Sequence, residues 1–281
     1  MREDHVKLIK QVQLPSTNNY YELTSADGYS WLAYALSKIN ETDKARLCIN
    51  KVHELNYRLN AERVIARTKT KVFKKTDYTY TLSFCIDLFK ELLDEETLEI
   101  LYNKFIDIGY YTNGMYRYCD TEIYYGTPNV TAGAAYVFAL MGDLENVKKC
   151  LSYLKNNQLK NGNWNYLFIN EKENKITNSA IEEDTCHLAM IVFYLRMIEK
   201  ITKINTKEIY KLSIKRLEEI NKNQFDLGTI GWGIPMLYLA LKGTGSYLTN
   251  KVYKEVINNS INHSNFRVRS LSAYSLIKKY D

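Results

Sequence analysis

At 281 residues, with 46% hydrophobic and 25% charged residues, the chain has the balance of a folded globular protein and not of a disordered one. No apolar run approaches the ~18 residues that span a bilayer, and the opening MREDHVKLIK carries no apolar leader, so a cytosolic protein with no transmembrane segment is expected. The net charge of +6 is drawn from both signs mixed along most of the chain with no nucleic-acid module, which sets nucleic acid aside as a partner.

Few prolines and many stretches of 3.6-residue period argue for an α protein. A first helix is expected over 3–13. An apolar helix at 28–39 (GYSWLAYALSKI) is followed by an amphipathic one at 42–57. The same couple returns as 78–92 with 95–108, 130–141 with 143–156, 184–200 with 206–222, and 233–242 with 249–262, before a last helix near 267–279. The period is about 50 residues, the signature of a helical repeat. A helix apolar all round must be covered on all sides, whereas an amphipathic one can face water. Five to six such pairs nearly exhaust the chain. The expectation is therefore one all-α domain over 1–281, an (α/α)5-6 toroid with the apolar helices inside. An open solenoid is the alternative. The sequence sets no oligomeric state.

Between the helices lie the chemically interesting stretches. Arg63, Arg67, Lys69, Lys71, Lys74 and Lys75 crowd one segment, a solvated loop or a rim that steers an anion. The 24 tyrosines include the pairs Tyr20 with Tyr21, Tyr110 with Tyr111 and Tyr124 with Tyr125, suited to half-wet surfaces. Cys48, Cys85, Cys119, Cys150 and Cys186 are odd in number and form no CxxC pair, so reduced buried thiols are expected. Asp27, Asp77 and Asn129 precede apolar helices and read as caps. Two turns, NGMYRY at 113–118 and NGNWNY at 161–166, share Asn-Gly, an aromatic and a Tyr. ADGYSW at 26–31 and GTIGWG at 228–233 are looser relatives. Their aromatics, Tyr116, Trp164, Tyr166 and Trp232, either line a substrate pocket together with Arg117 and Tyr118, or plug helix ends.

Lys149, Tyr153, Leu154, Gln158, Gly162 and Trp164 follow the spacing of the repeat of terpenoid cyclases, with Cys150 where that family prefers Gly or Ala. This stretch resembles the terpenoid cyclase and protein prenyltransferase toroid superfamily. In class II cyclases an aromatic turn leads into Asp-x-Asp-Thr or its longer form. Here Trp164, Tyr166, Phe168 and Asn170 lead into Glu182, Glu183, Asp184 and Thr185. The resemblance implies that Asp184 or Glu183 is a proton donor for acid-initiated cyclisation or isomerisation in a central cavity. The family's first Asp is absent in either register. The Asp184-x-Cys186 spacing also matches the zinc site of prenyltransferase β subunits, with His263 as third ligand. Zinc or magnesium is thus the metal alternative, and otherwise no cofactor is expected.

The composition supports a second function. Tyr116, Arg117, Tyr118, Asp120 and Glu122 in one turn, with Glu183, Asp184 and His187 in another, suit a lyase, epimerase or hydrolase acting on an acidic, uronate-type glycan. Arg117, Arg267 and Arg269 would hold its carboxylate. The expected substrate is a small molecule or glycan of anionic character. A non-catalytic toroid that binds a peptide or protein is the third reading. At residue level, Asp184 or Glu183 is a catalytic acid or a first-turn acid favoured by the helix dipole, worth ~0.3–1 kcal/mol. His187, at i+4 from Glu183, shares its face and acts with it or fills the core.

Overall fold

The computed structural model describes residues 2–15, 26–58, 77–112, 114–120, 126–170, 175–227 and 232–280. The basic segment 63–75, Glu122, Tyr20, Tyr21, Tyr124 and Tyr125 lie outside the described residues, as do the side chains of 167–181, Phe168 and Asn170 among them.

In chain order the elements are α1 (Glu3–Gln11), α2 (Ala26–Lys38), α3 (Thr42–Glu54), α4 (Thr79–Leu92), α5 (Glu95–Ile108), β1 (Tyr110–Thr112), β2 (Met115–Tyr116), α6 (Pro128–Met141), α7 (Leu144–Asn157), β3 (Asn165–Asn170), β4 (Lys175–Glu182), α8 (Thr185–Thr202), α9 (Lys207–Ile220), α10 (Gly233–Leu241), α11 (Thr249–Asn258) and α12 (Phe266–Ile277). They fall into two compact units. The first holds α1 to α5, the turn at 119–120 and α12. The second holds both strand pairs, α6 to α11 and residues 278–280.

The paired pattern is carried into both units. In the first, α2 is buried along its length from Ala26 to Leu36, and so is α4 from Thr79 to Phe89. Helix α2 packs on α3, α4 and α12, and α4 packs on α5. In the second, α6 is buried from Pro128 to Ala139 and packs on α7 and α8. Helix α8 packs on α9 and α10, and α10 on α11. The amphipathic members bury only a stripe: Ala45, Cys48 and Val52 of α3, or Ile209, Ser213 and Leu217 of α9.

Magnitudes explain which signals matter. Leu188, Ile191, Val192, Phe193 and Leu195 of α8 are all fully buried, each worth about 1.5–3 kcal/mol. A side-chain cap is worth about 1 kcal/mol. Burial therefore carries the apolar helices, and α4, α6 and α10 form with no side-chain cap bond. Asp94 and Asp143 cap amphipathic helices instead, accepting from the Thr97 and Asn146 amides at 3.1 Å each. The three expected caps differ in detail. Asn129 lies inside the first turn of α6 and its Oδ1 accepts from the Thr127 hydroxyl. Asp77 is bridged by Arg58 (3.0 Å) and Lys104 (3.3 Å). Asp27 is fully buried and holds the Arg267 guanidinium, which also donates to the Tyr80 hydroxyl at 3.4 Å.

Small residues set close approaches. A Cβ on Gly133 of α6 would lie 3.3 Å from the Tyr194 ring of α8. The two Asn-Gly turns are both in the second unit and share one device. Gly114 (φ +90°) and Gly162 (φ +86°) are left-handed, and a Cβ on either would collide with an outer-helix carbonyl, Lys149 of α7 or Leu212 of α9. Only glycine satisfies both demands.

The two strand pairs have no counterpart among the expected helices. Strands β3 and β4 pair antiparallel, with Asn165 opposite Glu182 and Asn170 opposite Lys175. The hairpin thus brings the NGNWNY turn back to the acids.

Candidate active site

The repeat-like stretch acts as a joint. Gln158 donates from Nε2 to the carbonyls of Gly162 (3.2 Å) and Ile209 (3.0 Å), tying the turn to α9. The Trp164 indole is 0% exposed and donates to the Leu154 carbonyl at 2.8 Å. Its position is that of a core side chain, with no face left for a ligand. The Glu183 amide then donates to the Trp164 carbonyl at 2.9 Å, which fixes where the acids begin.

The three consecutive acids meet three different fates. Glu182, at the end of β4, accepts from Asn161 (2.8 Å), Asn163 (2.9 Å) and Arg216 (3.0 Å). Burial alone would raise its carboxyl, but these donors and the guanidinium charge hold it below the ordinary range. Glu182 is a structural clamp at the hairpin base. Asp184 is the N-cap of α8, its Oδ1 accepting from the His187 amide at 3.0 Å. Its side chain stays 19% exposed.

Glu183 turns inward. Its side chain is 0% exposed, and neither carboxylate oxygen has a well-aligned hydrogen-bond donor. Burial pushes the carboxyl up to about 7. The His187 charge and the Asn129 amide at the start of α6 pull it down, and Asp184 pushes it up. Tyr153 of α7 is part of the same pocket: burial and then the Glu183 charge push its hydroxyl up to about 12, and it donates to the Met115 sulfur at 3.1 Å.

His187 joins the two carboxyls. Its Nδ1 lies 3.0 Å from Asp184 Oδ1 and 3.7 Å from Glu183 Oε2. Its ring sits 5.7 Å from that of Tyr166 and its side chain is 15% exposed. The start of α8 is held by a second layer that local sequence did not announce. Asp226 accepts from the Thr185 amide (3.1 Å), and Asn221 donates to the Thr185 hydroxyl (3.1 Å) while accepting from the Asp226 amide (2.9 Å). The only local signal was an acid in the turn before the GWG stretch.

Thus Glu183, Asp184, His187 and Tyr166 converge. Tyr116 is 1% exposed and packs against Tyr110 and Phe138 at 5.1 and 5.8 Å. Trp232 is buried at the N-cap of α10. Arg117 and Tyr118 are part-exposed after β2. Asp120 belongs to the first unit, where its Oδ1 accepts from the Asp77 amide at 3.0 Å and burial helps raise its carboxyl. Arg267 is committed to Asp27, and Arg269 donates to the carbonyls of His263 and Ser264. The zinc alternative is not assembled. Cys186 is buried, whereas His263 is exposed in the first unit, its Nδ1 accepting from the Asn265 amide. Among the described residues no group of three His, Cys, Asp or Glu is arranged to hold a metal ion.

Buried and exposed helices paired in this way define an all-α toroid of inner and outer helices, the fold class expected from the 50-residue repeat. Solved structures of that fold match almost the whole chain. An inactive variant of the α-1,6-mannanase GH76A of Salegentibacter sp. HEL1_6, in complex with α-1,6-mannotriose, is similar at 12% identity and a TM-score of 0.61, covering 98% of each chain. A D-mannose isomerase is similar at 13% identity and a TM-score of 0.57, over 93% of this chain and 86% of that one. An α-amylase from Clostridium perfringens is similar at 12% identity and a TM-score of 0.59, over 98% and 97%. No family model and no curated protein matches the sequence. Among the described residues no helix is long and apolar enough to cross a membrane.

Proposed function

We propose that the chain is an enzyme that hydrolyses a neutral glycan by acid–base catalysis, with Glu183 as proton source and Asp184 as the ionised partner. The observation that carries this reading is the Glu183 carboxyl: fully buried, lacking an aligned hydrogen-bond donor and raised to about 7, directly beside the part-exposed carboxyl of Asp184. A buried, raised carboxyl beside a second, part-exposed one is the kind of pair that glycoside hydrolysis uses. One protonates the glycosidic oxygen while the other acts at the anomeric carbon or on the attacking water.

The similar structures support a sugar substrate. One is an α-1,6-mannanase with a bound mannotriose, inactive with two consecutive aspartates replaced by asparagine. Glu183 and Asp184 are likewise consecutive. They favour the glycan reading over the cyclase one, and the position of Trp164 in the core agrees: the repeat shared with cyclases serves here as a helix joint. The site disfavours an anionic, uronate-type substrate. Glu183, Asp184 and Asp226 gather at the start of α8, and Arg216, bound to Glu182 and Glu219, is already neutralised. Such a site repels a carboxylate.

Isomerisation of a free neutral sugar is a second reading. The 3.0 Å contact of His187 Nδ1 with Asp184 favours it, since that contact fixes one tautomer and leaves Nε2 as a base.

The test is turnover of α-1,6-mannooligosaccharides, α-glucans and free D-mannose, read by anion-exchange chromatography of products. Glu183→Gln and Asp184→Asn are each expected to lower turnover by roughly 10²–10⁴-fold. Wild-type turnover that survives both substitutions refutes the assignment.

A further inference from the structure

Glu183 raises a problem for any reaction that uses its proton. Its side chain has no exposed surface, so no substrate oxygen can reach it in this arrangement. His187, its neighbour, keeps some exposed surface. Glu183 lies just before the N-cap of α8 and His187 in its first turn, close enough for their side chains to meet. Nδ1 faces Glu183 and Asp184 at 3.7 and 3.0 Å. Nε2, on the opposite edge of the same ring, therefore points away from both carboxyls, and the side chain keeps 15% of its surface exposed. Tyr166 lies against the ring at 5.7 Å and limits its rotation.

We propose that His187 is a catalytic proton relay: Glu183 and His187 hold one proton between them, and His187 Nε2 delivers it to the substrate. This rests on the glycan reading above. With the shared proton on the imidazole, Glu183 is ionised and Asp184 accepts the Nδ1–H. The Nε2–H bond then breaks as its proton passes to the glycosidic oxygen. The C–O bond to the leaving sugar cleaves and the hydroxyl of a water adds at the anomeric carbon. The second proton of that water returns to the Glu183–His187 pair. No oxidant, reductant or further reactant is consumed.

The groups facing this pair favour sharing over permanent charge. Asp184 stabilises the imidazolium, and the Asn129 amide of α6 stabilises the Glu183 carboxylate. Burial and the Asp184 charge oppose that carboxylate. Tyr153 of α7 stays protonated near it, and Asp226 is engaged with the Thr185 amide. Neither microstate is fully compensated, which is what a transferable proton requires.

The experiment has two arms. In the first, 15N NMR follows the His187 ring through pH, assigned against His5, His53 and His263 by its loss in His187→Asn. In Glu183→Gln the His187 titration is expected to move to lower pH by about one unit, because a neighbouring negative charge is removed. An unmoved titration overturns the shared proton. In the second arm, His187→Asn, which keeps an N–H for Asp184, and Glu183→Gln are compared on two substrates. On an unactivated α-glycoside both are expected to lose at least ~10²-fold. On an aryl glycoside whose leaving group needs no protonation, both are expected to recover to within ~10-fold of wild type. Near-wild-type turnover of the unactivated glycoside by His187→Asn, with Glu183→Gln impaired, overturns the relay. A wild type with no glycosidase turnover refutes the glycan reading, and the NMR arm then decides the shared proton alone.

Discussion

Replacing Glu183 with glutamine should make the protein more stable at alkaline pH while disabling the proposed chemistry. The ordinary carboxyl value of 4.5 is raised to about 7 in the folded chain, chiefly by burial. Below pH 4.5 the group is protonated in both folded and unfolded chains and costs nothing. From 4.5 to 7 the unfolded chain releases the proton while the folded chain keeps it. Stability therefore falls as pH rises through that window. Above pH 7 the full cost is present. At 1.36 kcal/mol per unit the shift amounts to about 3 kcal/mol. The amide introduced by Glu183→Gln resembles the protonated acid at every pH, so the variant escapes that cost. A buried amide brings its own penalty, but one that does not vary with pH. The readout is thus the difference in unfolding free energy between variant and wild type, measured in denaturant at pH 4.5 and at pH 8. The variant should gain about 3 kcal/mol relative to wild type between those two values. A gain below about 1 kcal/mol would mean that Glu183 is solvated or well paired, and its role as a proton store would fall with that result.

Other expectations concern the frame. Trp164→Ala should cost about 3–5 kcal/mol in denaturant unfolding, because the indole is fully buried and its N–H pairs with Leu154; a cost under about 1 kcal/mol would show an open position. Gly162→Ala should lower stability by about 2 kcal/mol or more, since strain at positive φ adds to a collision with the Leu212 carbonyl; an unchanged thermal midpoint would refute that packing. In the first unit, Arg267→Met strands the Asp27 carboxylate and should cost about 3–5 kcal/mol, whereas Asp27→Leu combined with Arg267→Met should recover most of it. Additive losses in that double-mutant cycle would deny the buried pair.

Much of the architecture is legible in the sequence. Expected helices at 95–108 and 233–242 correspond to α5 at Glu95–Ile108 and α10 at Gly233–Leu241, and the other boundaries agree to within a few residues. Burial of whole helices and of helix stripes is written directly into apolar periodicity. The β3–β4 hairpin is not legible. Its strands carry mixed polarity and are joined by a longer polar stretch without a two-residue turn signal. Neither are the partners that hold the start of α8. Asp226 and Asn221 lie 41 and 36 residues from Thr185, and Arg267 lies 240 residues from Asp27. No local pattern encodes contacts at such separations.

The sequence by itself determined that the chain is a repeat of buried and half-buried helices, because each helix must satisfy its own apolar surface. It also marked Glu182, Glu183 and Asp184 as unusual, since one acid suffices for a cap. Only the tertiary structure decided among them. Glu182 meets Asn161 and Asn163 of the turn and Arg216 of α9, Asp184 meets the His187 amide of the helix it caps, and Glu183 turns inward beside the Asn129 amide of α6 and Tyr153 of α7. Three like charges in a row differ only in what surrounds them, and desolvation is a property of that surrounding and not of the residue.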